Sequence, residues 1–143
     1  MSLEYVLREI QSIVGDVAGI RAAPEFPPEK PPPGIFSVVL PTSGIFKQEP
    51  VSVLCGLHDV DLYVICPRVD LPKTMKTILP LGELVAAALE NSETLNSMCS
   101  TFDEIPYVFE TSINLGTVAM PSYYSGWVFT IKQIKVQDQE ILT

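Results

Sequence analysis

Residues 60–90, VDLYVICPRVDLPKTMKTILPLGELVAAALE, decide the fold. Val60, Leu62 and Val64 alternate with Asp61, Tyr63 and Ile65, the two-residue period of a strand with one buried face. Pro67 ends that strand. Asp70 then stands where a helix N-cap belongs, with Pro72 in the first turn. Leu71, Met75, Ile78, Leu79, Val85 and Leu89 mark the apolar side of the helix, and Ala86–Ala88 favours helix and close packing. Pro80 lacks an N–H and crowds the preceding turn, so a kink or break is expected there.

Upstream, Val51–Leu57 is a second apolar run, separated from Val60–Cys66 by His58 and Asp59. Two readings stand: a hairpin turn at His58-Asp59, or one long strand with a bulge at Gly56. Ile35–Leu40, bounded by Gly34 and Pro41, reads as a buried strand followed by a turn at residues 42–44. Before it lies a strap, residues 20–34, with six prolines between Pro24 and Pro33. Pro fixes φ and gives no donor to a ladder, so this is stiff extended chain laid over the domain or a neighbour. Residues 2–14 read as a helix, with Leu3, Val6, Leu7, Ile10, Ile13, Val14 and Val17 recurring on one helical face. Ser2 is the expected cap, and Gly15 the left-handed terminator.

Downstream, residues 91–104 are polar and loop-like. A strand is expected over Tyr107–Leu115, a turn at 121–126 (PSYYSG), and a strand over 127–136 (WVFTIKQIKV), leaving 137–143 as a polar tail. Strands joined by short turns give an α+β domain spanning 1–143: an antiparallel sheet of four to five strands with two helices packed on it.

Apolar residues make up 47% of the chain and charged residues 18%, below the usual share of roughly 25%. A domain of 143 residues cannot bury all of that by itself, so part of the apolar surface is expected to meet partners. The net charge is −8 and no cluster of Lys or Arg occurs. That speaks against nucleic-acid binding and against anionic membranes. No apolar run reaches the roughly 18 residues of a membrane span. Three cysteines, Cys55, Cys66 and Cys99, and charges within the first apolar run predict an intracellular, reduced protein.

Catalytic constellations are sparse. The sole histidine, His58, lies beside Asp59 and Asp61, and marks where an enzymatic or ligand site would sit. No serine lies in a G-x-S-x-G elbow. Cys55, His58, Cys66 and Cys99 lack the paired spacing of a zinc site; small apolar side chains in strands account better for Cys55 and Cys66. No glycine-rich phosphate loop occurs. The reading is therefore a non-enzyme without cofactor or metal.

Four stretches resemble the tail-terminator (tail-completion) proteins of long-tailed bacteriophages: the first helix ending in VAGIRAAPEFPP, the strand opening PPPGIFSVVLP, the join LYVICPRVDLPKTMKTILPLGELVAAAL, and the closing strands with INLG and GWVFTIKQIKV. Together they span most of residues 3–136. The resemblance implies a virion tail subunit, assembled in the host cytoplasm. Such subunits form a homohexameric ring that ends the tail tube and joins it to the head connector, with DNA passing through unbound. A neck or stopper subunit of the same particle is the alternative, and a small ligand-binding or enzymatic domain around His58 is a second. Interface residues are expected among the aromatic and apolar groups by the strap, Phe26, Ile35 and Phe36, and among those in the expected turns, Phe46, Tyr123 and Tyr124.

Overall fold

A computed structural model describes residues 3–25, 33–49, 53–68, 70–92, 105–115 and 118–138. The elements follow in the order α1 (Leu3–Gly15), β1 (Phe36–Glu49), β2 (Val53–Pro67), α2 (Leu71–Glu90), β3 (Tyr107–Asn114) and β4 (Tyr123–Asp138). The strands form one four-stranded sheet in the order β1-β2-β4-β3, every neighbour antiparallel. The protein is thus α+β. After β2 the chain crosses through α2 to the far edge, and β4 then returns to fill the gap between β2 and β3.

The alternation read in β2 sets the layers. Val60, Leu62, Val64 and Cys66 join Val39 of β1 and Phe129, Ile131 and Ile134 of β4 beneath the helices. Above them lie Val6, Leu7, Ile10 and Val14 of α1 and Ile78, Leu81, Val85 and Leu89 of α2. Each fully buried aliphatic side chain here contributes about 1.5–3 kcal/mol relative to exposure.

Of the kink or break expected at Pro80, there is no break: α2 runs through it as one helix. Pro80 is on the exposed side of the helix, so the carbonyl it leaves without an intrahelical partner faces water, not the core. Asp70 is the N-cap, but its side chain makes no capping bond; its carbonyl accepts from Thr74 N–H at 2.8 Å. Gly15 stays within α1, and the left-handed glycine falls later, at Gly19 with φ 103°. Ser2 lies outside the described residues.

The turn expected at residues 42–44 is not a turn. β1 continues through it to Glu49, paired throughout with β2. Arg21 N–H donates to the Ile35 carbonyl and Ser37 N–H to the Ala22 carbonyl, so the odd-numbered residues of this part of β1 turn their backbone groups outward. Pro41 belongs to that set, and its missing N–H removes no bond to β2. Thr42 is an extra, bulged residue, and its hydroxyl donates to the Asp59 carbonyl at 3.0 Å.

β2 is a single strand, so His58-Asp59 is no hairpin turn. Nor does a bulge fall at Gly56, which pairs with Phe46 and Val136 in register. The irregularities flank Asp59, in the partner strands β1 and β4. The start of the run at Val51 lies outside the described residues. β4 begins at Tyr123, so YYSG is strand and not turn, and it extends to Asp138, into what read as tail.

The strap is partly described. Ala22 bridges Phe36, Pro24 accepts a bond from Gln11, and Glu25 pairs with Arg8 at 2.9 Å. Its first residues therefore lie across α1 and the start of β1. Residues 26–32 lie outside the described residues.

Candidate subunit interface

Beyond Pro41 the strands β1, β2 and β4 run on as a three-stranded arm. His58 forms its inner support. The imidazole is buried, 5% exposed, in a slot made by two glycines: a Cβ at Gly44 would lie 2.7 Å from His58 Nδ1, and one at Gly56 would collide with the ring. The Phe46 ring closes the slot edge-on, centroids 5.0 Å apart. Burial pushes the His58 pKa down, toward the neutral imidazole.

Strand alternation separates His58 from its sequence neighbours. Asp59 and Asp61 turn to the opposite face, where Asp59 accepts from the Ser43 hydroxyl at 3.4 Å and Asp61 from the Thr130 hydroxyl at 3.1 Å. The three do not converge on one site. His58 and Cys66 are eight positions apart along one strand, roughly 26 Å, so they cannot share a metal ion. Cys99 lies outside the described residues.

Apart from Tyr123 at the start of β4, the large exposed apolar groups among the described residues of the sheet lie on its two outermost strands. On β1, Ile45 is 62% and Phe46 66% exposed; on β3, Tyr107 and Val108 are each 59% exposed. Phe46 and Tyr107 turn toward the helix side, and Ile45 and Val108 to the other. Tyr107 is held edge-on against Trp127, centroids 4.9 Å apart. Among the described residues, nothing pairs with the outer side of β1 beyond the bridge at Ala22, nor with the outer side of β3.

On the face away from the helices, one transverse row crosses all four strands: Val38, Tyr63, Val128 and Val108. Beside it Phe36, Ile65 and Tyr124 form a small second core, with Phe36 and Tyr124 edge to face at 5.8 Å. Burial, with Asp61 and Glu110 nearby, pushes the Tyr63 pKa up and keeps the phenol protonated.

The expected interface residues divide accordingly. Phe46 is exposed on the arm, and Tyr123, 49% exposed, opens β4. Phe36 and Tyr124 are buried in the second core, and Ile35 packs half-buried on the main core. Phe26 lies outside the described residues. Ile45, Tyr107 and Val108 were not singled out from sequence. The signal for Ile45-Phe46 was available: two consecutive apolar residues in a strand must face opposite ways, and the end of a hairpin cannot cover both.

A cleft of about 370 Å³ opens at the start of α2, between Gly34, Ile35, Cys66, Pro67, Asp70, Lys73, Thr74 and Thr77. Burial pushes the Cys66 thiol up, which keeps it protonated and a weak nucleophile. Among the described residues no helix is long and apolar enough to cross a membrane, and no cluster of three or more His, Cys, Asp or Glu side chains could hold a metal ion.

No protein-family model matches the chain, and no curated protein matches it.

Proposed function

We propose that this chain is a structural subunit of a phage or prophage tail that self-associates into a ring, ends the tail tube there and joins it to the head connector. One observation carries the reading: the two outermost strands of the sheet, β1 and β3, lie on opposite sides of the subunit and, among the described residues, expose different apolar pairs, Ile45-Phe46 on one and Tyr107-Val108 on the other. Two different patches on opposite sides suit a head-to-tail contact, which closes into a ring when the rotation per subunit allows. A twofold dimer would use one patch twice.

Two further features support it. The order α1-β1-β2-α2-β3-β4 agrees with the element order in which the sequence resembles tail terminators. A net charge of −8 per subunit gives a ring a negative wall, which lets DNA pass without gripping it.

Negative-stain electron microscopy and light scattering of the purified protein, alone and with tail-tube protein, test the reading. Rings that cap tube ends are the expected result. A monomer in both samples, up to the highest soluble concentration, would remove the reading.

A further inference from the structure

We infer that neighbouring copies join by direct strand pairing, β1 of one copy against β3 of the next, in a single register that sets Ile45 opposite Val108 and Phe46 opposite Tyr107. The inference rests on the ring reading and specifies its junction.

Strand direction permits the join. β1 is antiparallel to β2, β2 to β4, and β4 to β3, so β1 and β3 run oppositely within one sheet. A neighbour in the same orientation presents its β3 antiparallel to β1, and the sheet continues from copy to copy.

Backbone phase permits it as well. Because Ser37 N–H turns outward, Phe36 and its partner Ile65 turn toward each other, and the preceding odd-numbered residues of β2 turn toward β1 in the same way. Leu57 and Asp59 are among them; opposite these stand Ile45 and Ser43, which leaves the backbone groups of Gly44 and Phe46 facing outward. On the far edge, Thr130 N–H donates to the Pro106 carbonyl at 2.9 Å. The even-numbered residues there face β4, and the backbone groups of Tyr107 and Phe109 face outward. In the stated register Phe46 meets Tyr107 and Gly44 meets Phe109, so outward groups meet outward groups.

Side chains agree with the backbone. Phe46 and Tyr107 point to the helix side, Ile45 and Val108 to the other, so each exposed apolar residue meets another on its own face. Ile45 and Val108 fall in a non-hydrogen-bonded pair, where side chains come closest.

Charge favours the same place. Natural edge strands are commonly guarded by charged residues; residues 43–46, the segment assigned to the junction, carry none, and Lys47 and Glu49 follow only beyond it. Pro41 and the bulge at Thr42 interrupt the outer edge of β1, which directs pairing to the arm beyond them.

The test is a pair of cysteines, Ile45→Cys with Val108→Cys, in a chain whose Cys55 and Cys99 are replaced by serine. Within one chain the two positions lie on opposite edges of the sheet, about 14 Å or more apart, too far for a disulfide. Any bridge is therefore between copies. The expected result is rings by electron microscopy and, after mild oxidation, a ladder of covalent multimers on a denaturing gel that collapses on reduction. Rings with only monomers on the gel would overturn the junction and leave the ring reading standing. Covalent dimers from Ile45→Cys alone would mean a symmetric contact and overturn the junction. Absence of rings from the unsubstituted protein would overturn both. Ile45→Asp, at a site 62% exposed, is expected to convert rings to monomers with an unchanged circular-dichroism spectrum and melting temperature; rings persisting in that variant would overturn the junction.

Discussion

Gly82 of α2 sits directly on the indole of Trp127: a Cβ there would fall inside the van der Waals envelope of the ring, 2.9 Å from Cδ2 and closer still to two other ring atoms. The helix can therefore approach β4 closely at this point. Gly82→Ala gains about 1 kcal/mol of helix propensity but overpacks a rigid aromatic wall, which costs about 1–3 kcal/mol. The expected outcome is a net loss of up to about 2 kcal/mol, larger for Gly82→Val, read as a lower urea midpoint. A midpoint at or above that of the parent would mean that helix and indole separate freely.

The same contact explains how α2 tolerates Pro80. Trp127 Nε1–H donates at 3.0 Å to the Ile78 carbonyl, one turn before Gly82. The indole thus pins the helix beside its proline. Trp127→Phe loses the bond and also part of the ring that lies under Gly82, leaving a gap between helix and sheet. It should cost more than the ~1–2 kcal/mol of the bond alone. Pro80→Ala restores an interior N–H and removes a clash, and should raise the urea midpoint. Lowered stability in Pro80→Ala would indicate that the proline's shape is needed for the packing on Trp127.

The fate of Pro80 marks what the sequence could and could not convey. A proline in a helix is a local penalty, and local reading predicts a kink or a break. Here burial of Ile78, Leu81 and Val85 on one side of the helix outweighs it. The same competition extended β1 through residues 42–44. Thr, Ser and Gly read as a turn in isolation, yet pairing of Ser43 with Asp59 and Gly44 with His58 keeps the strand going past the bulge at Thr42. β3 was legible almost to its bounds because nothing opposes its pattern. At the candidate interface, Phe46 was read from its type alone. Tyr107 and Val108 were hidden because exposure depends on which strand becomes the edge, and edge order is a property of topology that no local pattern encodes. Tyr124 misled for the converse reason: adjacent to exposed Tyr123, it turns inward by alternation onto Phe36.

Gln11 and Ser37 form a polar knot between α1, β1 and the strap. Gln11 Nε2 donates to the carbonyls of Pro24 at 2.6 Å and Ser37 at 3.0 Å, and the Ser37 hydroxyl donates to Gln11 Oε1 at 2.7 Å. Both side chains are nearly sealed from water. Gln11→Leu fills the space but leaves the Ser37 hydroxyl and carbonyl without partners, at about 1–3 kcal/mol. Ser37→Ala in the same chain should recover part of that loss. The strap should also become more sensitive to limited proteolysis, since it loses the buried Gln11–Pro24 bond and keeps, among the described residues, the exposed Arg8–Glu25 pair, the bridge at Ala22 and the Arg21–Ile35 bond. Equal cleavage rates in parent and variant would detach the strap from this knot.

His58 gives the arm a pH dependence whose sign follows from its burial. The folded state lowers its pKa below the usual 6.5 by desolvation, so the unfolded chain takes up a proton first as pH falls. Stability is then fully present above about pH 6.5, falls below it, and levels off once pH passes the lowered folded value. The groups around the ring do not offset the cost of a charge there: Gly44, Gly56, Phe46 and Ile134 are neutral, and Asp59 and Asp61 face the other side of the sheet. The urea midpoint between pH 8 and pH 5 should therefore fall more steeply in the parent than in His58→Phe, which keeps a ring in the slot and cannot titrate. Phe46→Ala, which opens the slot to water, should bring the folded pKa back toward 6.5 and flatten the dependence in the same way. Parallel pH profiles for the parent and His58→Phe would place the imidazole in contact with solvent, and the arm would then lose its buried support.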